Sequence, residues 1–296
     1  MKSLNFIIPL LAFLFLLSCN QYEKTNTNVY PKGKLFIIGG GKRPDYMVKE
    51  MIKLSGADTS GYIIVLPMAS SEPDTSAWYA EKQFRNQGAD SIITINIQDP
   101  ENCGKECIKR IEKASMIYIT GGVQQKLMDI ILGTSVHRAI IKAFYDGALI
   151  AGTSAGAAVM SKKMITGNEY KHPEYTGDFR TIEAENMEIT EGLGLLKSAI
   201  VDQHFVRRMR MNRLISVALE NPGYMCIGID ESTALIIDKD HGRAFGESQI
   251  ILLKFDGESY TNNKGLIGGR GLRLDVLLPG ELFDYEFFNE DIIPGN

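Results

Sequence analysis

Excess charge of one sign is missing from this chain. Its 32 Lys and Arg stand against 36 Asp and Glu, a net charge of −4, and neither sign forms a long block. A nucleic-acid binder normally carries a basic excess or stripe, so no nucleic-acid partner is expected. Cysteine is scarce, at four residues, and histidine equally so, at four. A histidine-based mechanism therefore has few candidates, and each can be weighed singly. Long apolar runs are lacking outside the first twenty residues, as are internal repeats and low-complexity linkers. What remains is an ordinary globular composition, 44% hydrophobic and 23% charged over 296 residues, which argues for one core with appendages at most.

The N-terminus is a separate matter. Met1-Lys2 gives a positive start, and residues 6–17 are almost wholly apolar. That run is too short to span a bilayer comfortably and ends in small Ser18, as a signal peptide would. Leu16-Leu17-Ser18-Cys19 also resembles a bacterial lipobox. The expectation is an exported lipoprotein, on the periplasmic or cell-surface face, with residues 1–18 removed and Cys19 lipidated. Residues 19–32 would be a tether and residues 33–296 the working domain. The alternative is an ordinary signal peptide with Cys19 near its cleavage site. Cys103, Cys107 and Cys226 then remain, an odd number that cannot complete a disulfide framework. Cys103 and Cys107 could pair in an oxidising compartment, with no histidine nearby to suggest a metal. Cys226, in the run Tyr224-Met225-Cys226-Ile227, reads as a buried strand residue.

From residue 34 onward, short apolar runs alternate with amphipathic stretches. Residues 34–38, 62–66, 91–95, 116–120 and 148–151 read as buried strands. Residues 45–54, 74–87, 101–113 and 135–145 have helical spacing. Such alternation predicts an α/β protein with a mostly parallel sheet covered on both faces. After about residue 224 the turns come closer together and predict antiparallel hairpins at the sheet edge. Residues 166–191 carry no convincing regular pattern and are expected to form a long loop. That loop is rich in carboxylates, Glu183, Glu185 and Glu188 among them; it is either a solvated surface loop or one from which some of these carboxylates face the pocket and receive cationic side chains.

Parallel sheets bind ligands beyond the carboxyl ends of their strands, and four segments fall there: residues 39–41, 67–71, 121–124 and 152–156. Gly39-Gly40-Gly41-Lys42-Arg43-Pro44 completes neither a dinucleotide fingerprint nor a Walker loop, so it reads as a turn beside the site, without a cofactor. Gly152-Thr153-Ser154-Ala155-Gly156 follows a strand and precedes a small-residue helix start. That is the context of a Gly-x-Ser-x-Gly nucleophile elbow. Helix N–H groups and the helix dipole would favour an oxyanion there. A serine merely capping the helix is the plainer alternative. Among the histidines, His137 lies on an amphipathic helix, while His172 and His241 occupy turns. His204 ends the short run Ala199-Ile200-Val201-Asp202-Gln203-His204 ahead of an Arg-rich segment, where it can reach a nucleophile on a neighbouring strand. A base of this kind needs a carboxylate to hold its tautomer. Glu231 sits at a strand junction and is the first choice, with Asp230 and Asp202 competing.

Four motifs together carry a family resemblance. They are Gly-Thr-Ser154-Ala-Gly-Ala, Asp202-Gln203-His204-Phe205, Arg208-x-Arg210-x-x-Arg213-Leu214 and Gly228-Ile229-Asp230-Glu231-x-Thr233-Ala234. In this order they resemble the signature set of the cyanophycinases, in the peptidase group that includes the aspartyl dipeptidases (peptidase E). The resemblance runs from about residue 33 to the C-terminus. It implies a three-layer α/β/α sandwich of the class I glutamine amidotransferase type and a triad of Ser154, His204 and Glu231. It also implies a substrate pocket of Gln124, Asp202, Gln203, Arg208, Arg210 and Arg213. Arginine forks suit carboxylate recognition. The oxyanion hole would use N–H groups of Gly121, Gly122 and Ala155. Where the family usually shows Gly-Gly-Asp-Gln, this chain has Gly121-Gly122-Val123-Gln124. The expected activity is a serine exopeptidase that releases β-aspartyl-arginine dipeptides from cyanophycin or a similar peptide, with no metal or organic cofactor. The rival readings are an aspartyl or isoaspartyl dipeptidase and a non-catalytic peptide-binding lipoprotein. The expected partners are a peptide substrate and a membrane, with a homodimer left open.

Overall fold

Continuous apolar tetrapeptides build the centre of the molecule. The computed structural model describes residues 30–174 and 176–289; Cys19 and the expected leader lie outside them. The first half runs β1 (Leu35–Ile38), α1 (Asp45–Ser55), β2 (Ile63–Leu66), α2 (Pro73–Asn86), β3 (Ile92–Thr94), α3 (Lys105–Glu112), β4 (Met116–Ile119), α4 (Gln124–Ile131), α5 (Ser135–Asp146) and β5 (Leu149–Thr153). The second half runs α6 (Ala155–Ala158), β6 (Lys163–Glu169), β7 (Met187–Glu191), β8 (Ala199–Gln203), α7 (Met211–Glu220), β9 (Met225–Ile229), β10 (Thr233–Asp238), β11 (His241–Gly246), β12 (Ile250–Phe255), β13 (Ser259–Thr261), β14 (Ile267–Gly269), β15 (Leu272–Leu277) and β16 (Leu282–Asp284).

The main sheet has eight strands in the order β16-β11-β10-β1-β5-β4-β2-β3. From β1 to β3 every pairing is parallel. The β10–β11 hairpin and β16 extend the β1 edge antiparallel. β1, β2 and β4 are buried at every position, because helices cover both faces. Met47, Met51 and Ile52 of α1 and Phe84 of α2 pack on one face. Ile111 of α3, Leu127 and Met128 of α4 and Ile140 and Phe144 of α5 pack on the other. This is the three-layer α/β/α arrangement. A second sheet, β15-β12-β9-β8, shares that second core through Ile227 and Leu252. Its other face packs Cys226 and Leu253 against Leu214 and Val217 of α7.

Local signals explain the helix limits. α1 starts after Pro44 with Asp45 in its first turn, and Gly56, at φ 69°, returns its N–H to Ile52 and Lys53, a left-handed C-terminal cap. The Thr134 hydroxyl accepts the His137 N–H to open α5.

Three expectations need correction. Residues 166–191 are not one long loop, because β6 and β7 pair as an antiparallel hairpin. A register shift between Ile165 and Glu169 breaks the alternation that marks a strand in sequence. α4 was not anticipated: eight residues with no side-chain cap leave too little periodicity to read. Finally, α6 is a single turn of four residues, so the elbow offers N–H donors and no developed helix dipole. Cys103 and Cys107 form a disulfide, and Cys226 is a buried free thiol whose pKa burial pushes well above the ordinary range. Of the residues expected in the tether, Tyr30 donates its hydroxyl to Asp240 at 2.6 Å, and Pro31 is buried. No helix of the described residues is long and apolar enough to cross a membrane.

Candidate active site

Ser154 sits where β5 stops. Its N–H donates to the Ile38 carbonyl across the sheet at 3.0 Å, and its backbone lies at φ 53°, ψ −110°. A non-glycine residue there stores strain of about 1–3 kcal/mol. The neighbours permit the turn because they lack side chains. A Cβ on Gly152 would stand 2.3 Å from the Gly156 carbonyl oxygen, and one on Gly156 equally close to that of Ile119. The turn lifts the Ser154 hydroxyl out of the sheet.

His204 follows β8 in a left-handed conformation, φ 51°, with its N–H on the Gly39 carbonyl at 2.7 Å. Its Nε2 is 2.9 Å from Ser154 Oγ, and its Nδ1 is 2.7 Å from Glu231 Oε1. A carboxylate only accepts, so Nδ1 carries the proton and Nε2 is left to accept from the serine hydroxyl. Glu231 occupies the tight turn between β9 and β10, whose next residue, Ser232, also has positive φ. Burial lowers the His204 pKa most, and Arg208 and Arg210 lower it further; the Glu231 hydrogen bond opposes them. The imidazole is thereby kept neutral and able to take a proton.

The competing acids are engaged elsewhere. Asp230 accepts from the Arg207 N–H at 2.8 Å and from Ser248 Oγ at 2.9 Å. Asp202, 1% exposed, holds Arg213 through both oxygens, the Nε contact at 2.8 Å. The other histidines are likewise committed: His137 to the Leu193 carbonyl, His172 to Glu183 and His241 to Asp284.

A cavity of about 210 Å³ opens beside Ser154, lined by Gln203, Arg208, Arg210 and Arg213 together with Gln124 and residues 166–168. Three arginines and no carboxylate line it, so it offers donors to a group rich in acceptor oxygens. Arg210 Nη1 donates to both the main-chain and side-chain oxygens of Gln203 at 2.6 Å. Arg213 lies over the Phe179 ring. Arg208 is exposed at the mouth, and no ion pair or side-chain hydrogen bond ties its guanidinium to another described residue. Gly121 lies beside Ser154, and Gly122 lines the cavity. The N–H groups of Gly122 and Ala155 donate to no backbone carbonyl among the described residues.

Every residue expected in the triad and pocket is thus gathered here, although Asp202 lies behind Arg213 and does not line the cavity. The reading in which the loop carboxylates face the pocket needs correction, because none of them lines this cavity. Glu183 turns to His172 and Thr181, and Glu188 stands one layer back, bonded to Thr166 and Asn168. Thr166, Gly167 and Asn168 were missed because their segment read as an irregular loop. The bonding of Gly39 and the packing of Gly40 against His204 also went unread, although that turn was expected beside the site.

The fold and the peptidase relatives define the class as a serine-type peptidase on an α/β/α scaffold. The chain belongs to peptidase family S51, whose sequence pattern matches residues 35–245. It is 30% identical over 274 residues to the cyanophycinase of Nostoc sp. (strain PCC 7120 / SAG 25.82 / UTEX 2576), covering 89% of this chain and 88% of that protein. It is 29% identical over 266 residues to the cyanophycinase of Geminocystis herdmanii (strain PCC 6308), covering 86% of this chain and 94% of the relative. Among solved structures, a peptidase from an acI-B1 Actinobacterium shares the fold with a TM-score of 0.64 and 22% identity, covering 86% of this chain and 97% of that one.

Proposed function

We propose that this peptidase is a cyanophycinase-like exopeptidase using Ser154 as nucleophile, His204 as base and Glu231 as the acid that orients His204. The contact of Ser154 Oγ with His204 Nε2 at 2.9 Å carries the reading, supported by the Glu231 contact behind it. His204 takes the hydroxyl proton as Oγ bonds to the substrate carbonyl carbon, and Glu231 stabilises the imidazolium. The N–H groups of Ala155 and the Gly121-Gly122 turn receive the oxyanion. Collapse breaks the peptide C–N bond, and His204 returns the proton to the leaving amine. Water repeats the sequence on the acyl-serine and releases the acid product.

The relatives' name and the arginine-lined cavity support the substrate proposed: a peptide of aspartyl units bearing arginine through β-amide links, released as β-aspartyl-arginine dipeptides. Incubating the purified domain with such a polymer and weighing the products by mass spectrometry tests it. Dipeptide release is expected. Cleavage confined to short aspartyl peptides would assign the chain to the dipeptidase reading instead.

Export with anchoring at Cys19 is part of the same proposal. The Cys103–Cys107 disulfide supports it, since disulfides persist in oxidising compartments.

A further inference from the structure

The amide side chains around the Ser154 cavity are fixed in orientation by their partners. Gln124 directs Nε2 to the carbonyl oxygens of Ile165 at 3.0 Å and Thr166 at 2.6 Å. Both partners only accept, so the amide cannot be reversed, and its Oε1 is left without a partner among the described residues. Asn168 is held in the same sense. Its Nδ2 donates to Glu188 Oε2 at 2.8 Å, and that oxygen also accepts from Thr166 Oγ1 at 2.6 Å. The Asn168 N–H in turn donates to Thr166 Oγ1 at 3.2 Å. A carboxylate must face the amide nitrogen, so Asn168 Oδ1 is the atom left for a ligand. Gln203, in the same lining, has the opposite polarity. Arg210 occupies the Gln203 Oε1, which leaves Nε2 as the group to donate, beside the guanidinium of Arg208 at the mouth.

The cavity lining therefore combines acceptors, on Gln124 and Asn168, with donors, on Gln203 and Arg208. A secondary amide supplies one carbonyl and one N–H and can satisfy both. A free carboxylate satisfies the donors only and sets its negative oxygens against two amide oxygens. Sites built to hydrogen-bond a group reject analogues that leave their polar atoms unpaired.

We propose that Asn168, positioned by Glu188, is a specificity-determining residue that selects aspartyl side chains carrying a β-amide over those ending in a free carboxylate. The inference rests on the serine exopeptidase reading of the same site. It differs from the reading that carboxylates of residues 166–191 grip cationic side chains directly, because here Glu188 acts through a neutral amide.

The test uses three synthetic aspartyl peptides of one sequence, with the side chain β-linked to arginine, as a β-methylamide, or as the free carboxylate. The readout is the ratio of kcat/KM for the methylamide to that for the free carboxylate, in which a general loss of active enzyme cancels. Asn168→Ala is expected to lower that ratio about tenfold, through KM more than kcat. Glu188→Ala should lower it similarly, and Glu188→Gln, which keeps one acceptor oxygen, should retain more of it. A parent enzyme that cleaves the arginine-linked peptide while Asn168→Ala leaves the ratio unchanged overturns this inference alone. A parent enzyme that cleaves none of the three overturns the exopeptidase reading and this inference with it.

Discussion

The α-carbon of Gly40 lies against the imidazole of His204, so that a Cβ there would stand 2.3 Å from Cε1 and 2.5 Å from Nε2. Gly40 also holds a left-handed backbone, φ +116°, while its carbonyl accepts the Ser232 N–H at 2.9 Å and its neighbour Gly39 accepts the His204 N–H. The glycine turn after β1 thus forms one wall of the His204 and Glu231 site.

Gly40→Ala should accordingly displace the ring from Ser154 while leaving Ser154, His204 and Glu231 unchanged in sequence. Loss of geometry on this scale is expected to lower kcat/KM by about 100-fold. Gly88, with φ +96° but nothing within 4 Å of its added Cβ, is the control. Gly88→Ala should show only the backbone cost, about 1 kcal/mol of stability. Activity near the parent level in Gly40→Ala, with the fold intact by thermal melting, would contradict this packing.

The acid limb of kcat/KM should report His204, which must be deprotonated to act. Its pKa is held below the ordinary imidazole range by burial and by Arg208 and Arg210, so activity should persist below the usual value of about 6.5. Removing a repulsive cation raises the pKa, so Arg208→Gln should move the limb to higher pH. Glu231→Gln removes the contribution that raises it and should move the limb to lower pH, with kcat reduced by about 10³–10⁴-fold. Limbs that stay fixed in both variants would remove His204 from the titration.

Asp202 tests the buried charge beneath the cavity. It holds Arg213 and lies 3.6 Å from Arg210, and both guanidinium groups are buried. Breaking such a pair by removing the carboxylate leaves uncompensated charge, at a cost of about 3–5 kcal/mol. Asp202→Asn should therefore lower the thermal midpoint by roughly 6–12 °C, whereas the exposed Arg208→Ala should change stability by less than about 0.5 kcal/mol. Equal midpoints for the two variants would show that the pair is not needed for stability.

How far these features could be read from sequence depends on the kind of signal each residue carries. The parallel core was legible because β1, β2 and β4 are buried throughout and so must be apolar throughout. Ser154 was legible because its turn demands glycines at fixed positions. His204 follows a short strand-like run, residues 199–203, and Glu231 lies between two apolar runs, which marks both as residues at strand ends. Asn168 carries no such mark: its strand is polar, bulged and half exposed, and its importance lies in a hydrogen bond to Glu188 across the hairpin. Asp202 shows a different limit. Its motif placed it beside the site, yet sequence order cannot say whether a side chain faces the cavity or the arginine behind it.

The central claim is that Ser154 is the activated nucleophile, and mapping the adduct of a fluorophosphonate probe by peptide mass spectrometry tests it most directly. The account predicts a single phosphonyl adduct on Ser154 in the parent enzyme. It predicts strongly slowed labelling in His204→Ala, because triad members act as a unit. Ser154→Gly should show no adduct and no hydrolysis, yet melt no lower than the parent, since glycine adopts φ 53° without strain. An adduct on any other residue, or hydrolysis surviving in Ser154→Gly, would contradict the account.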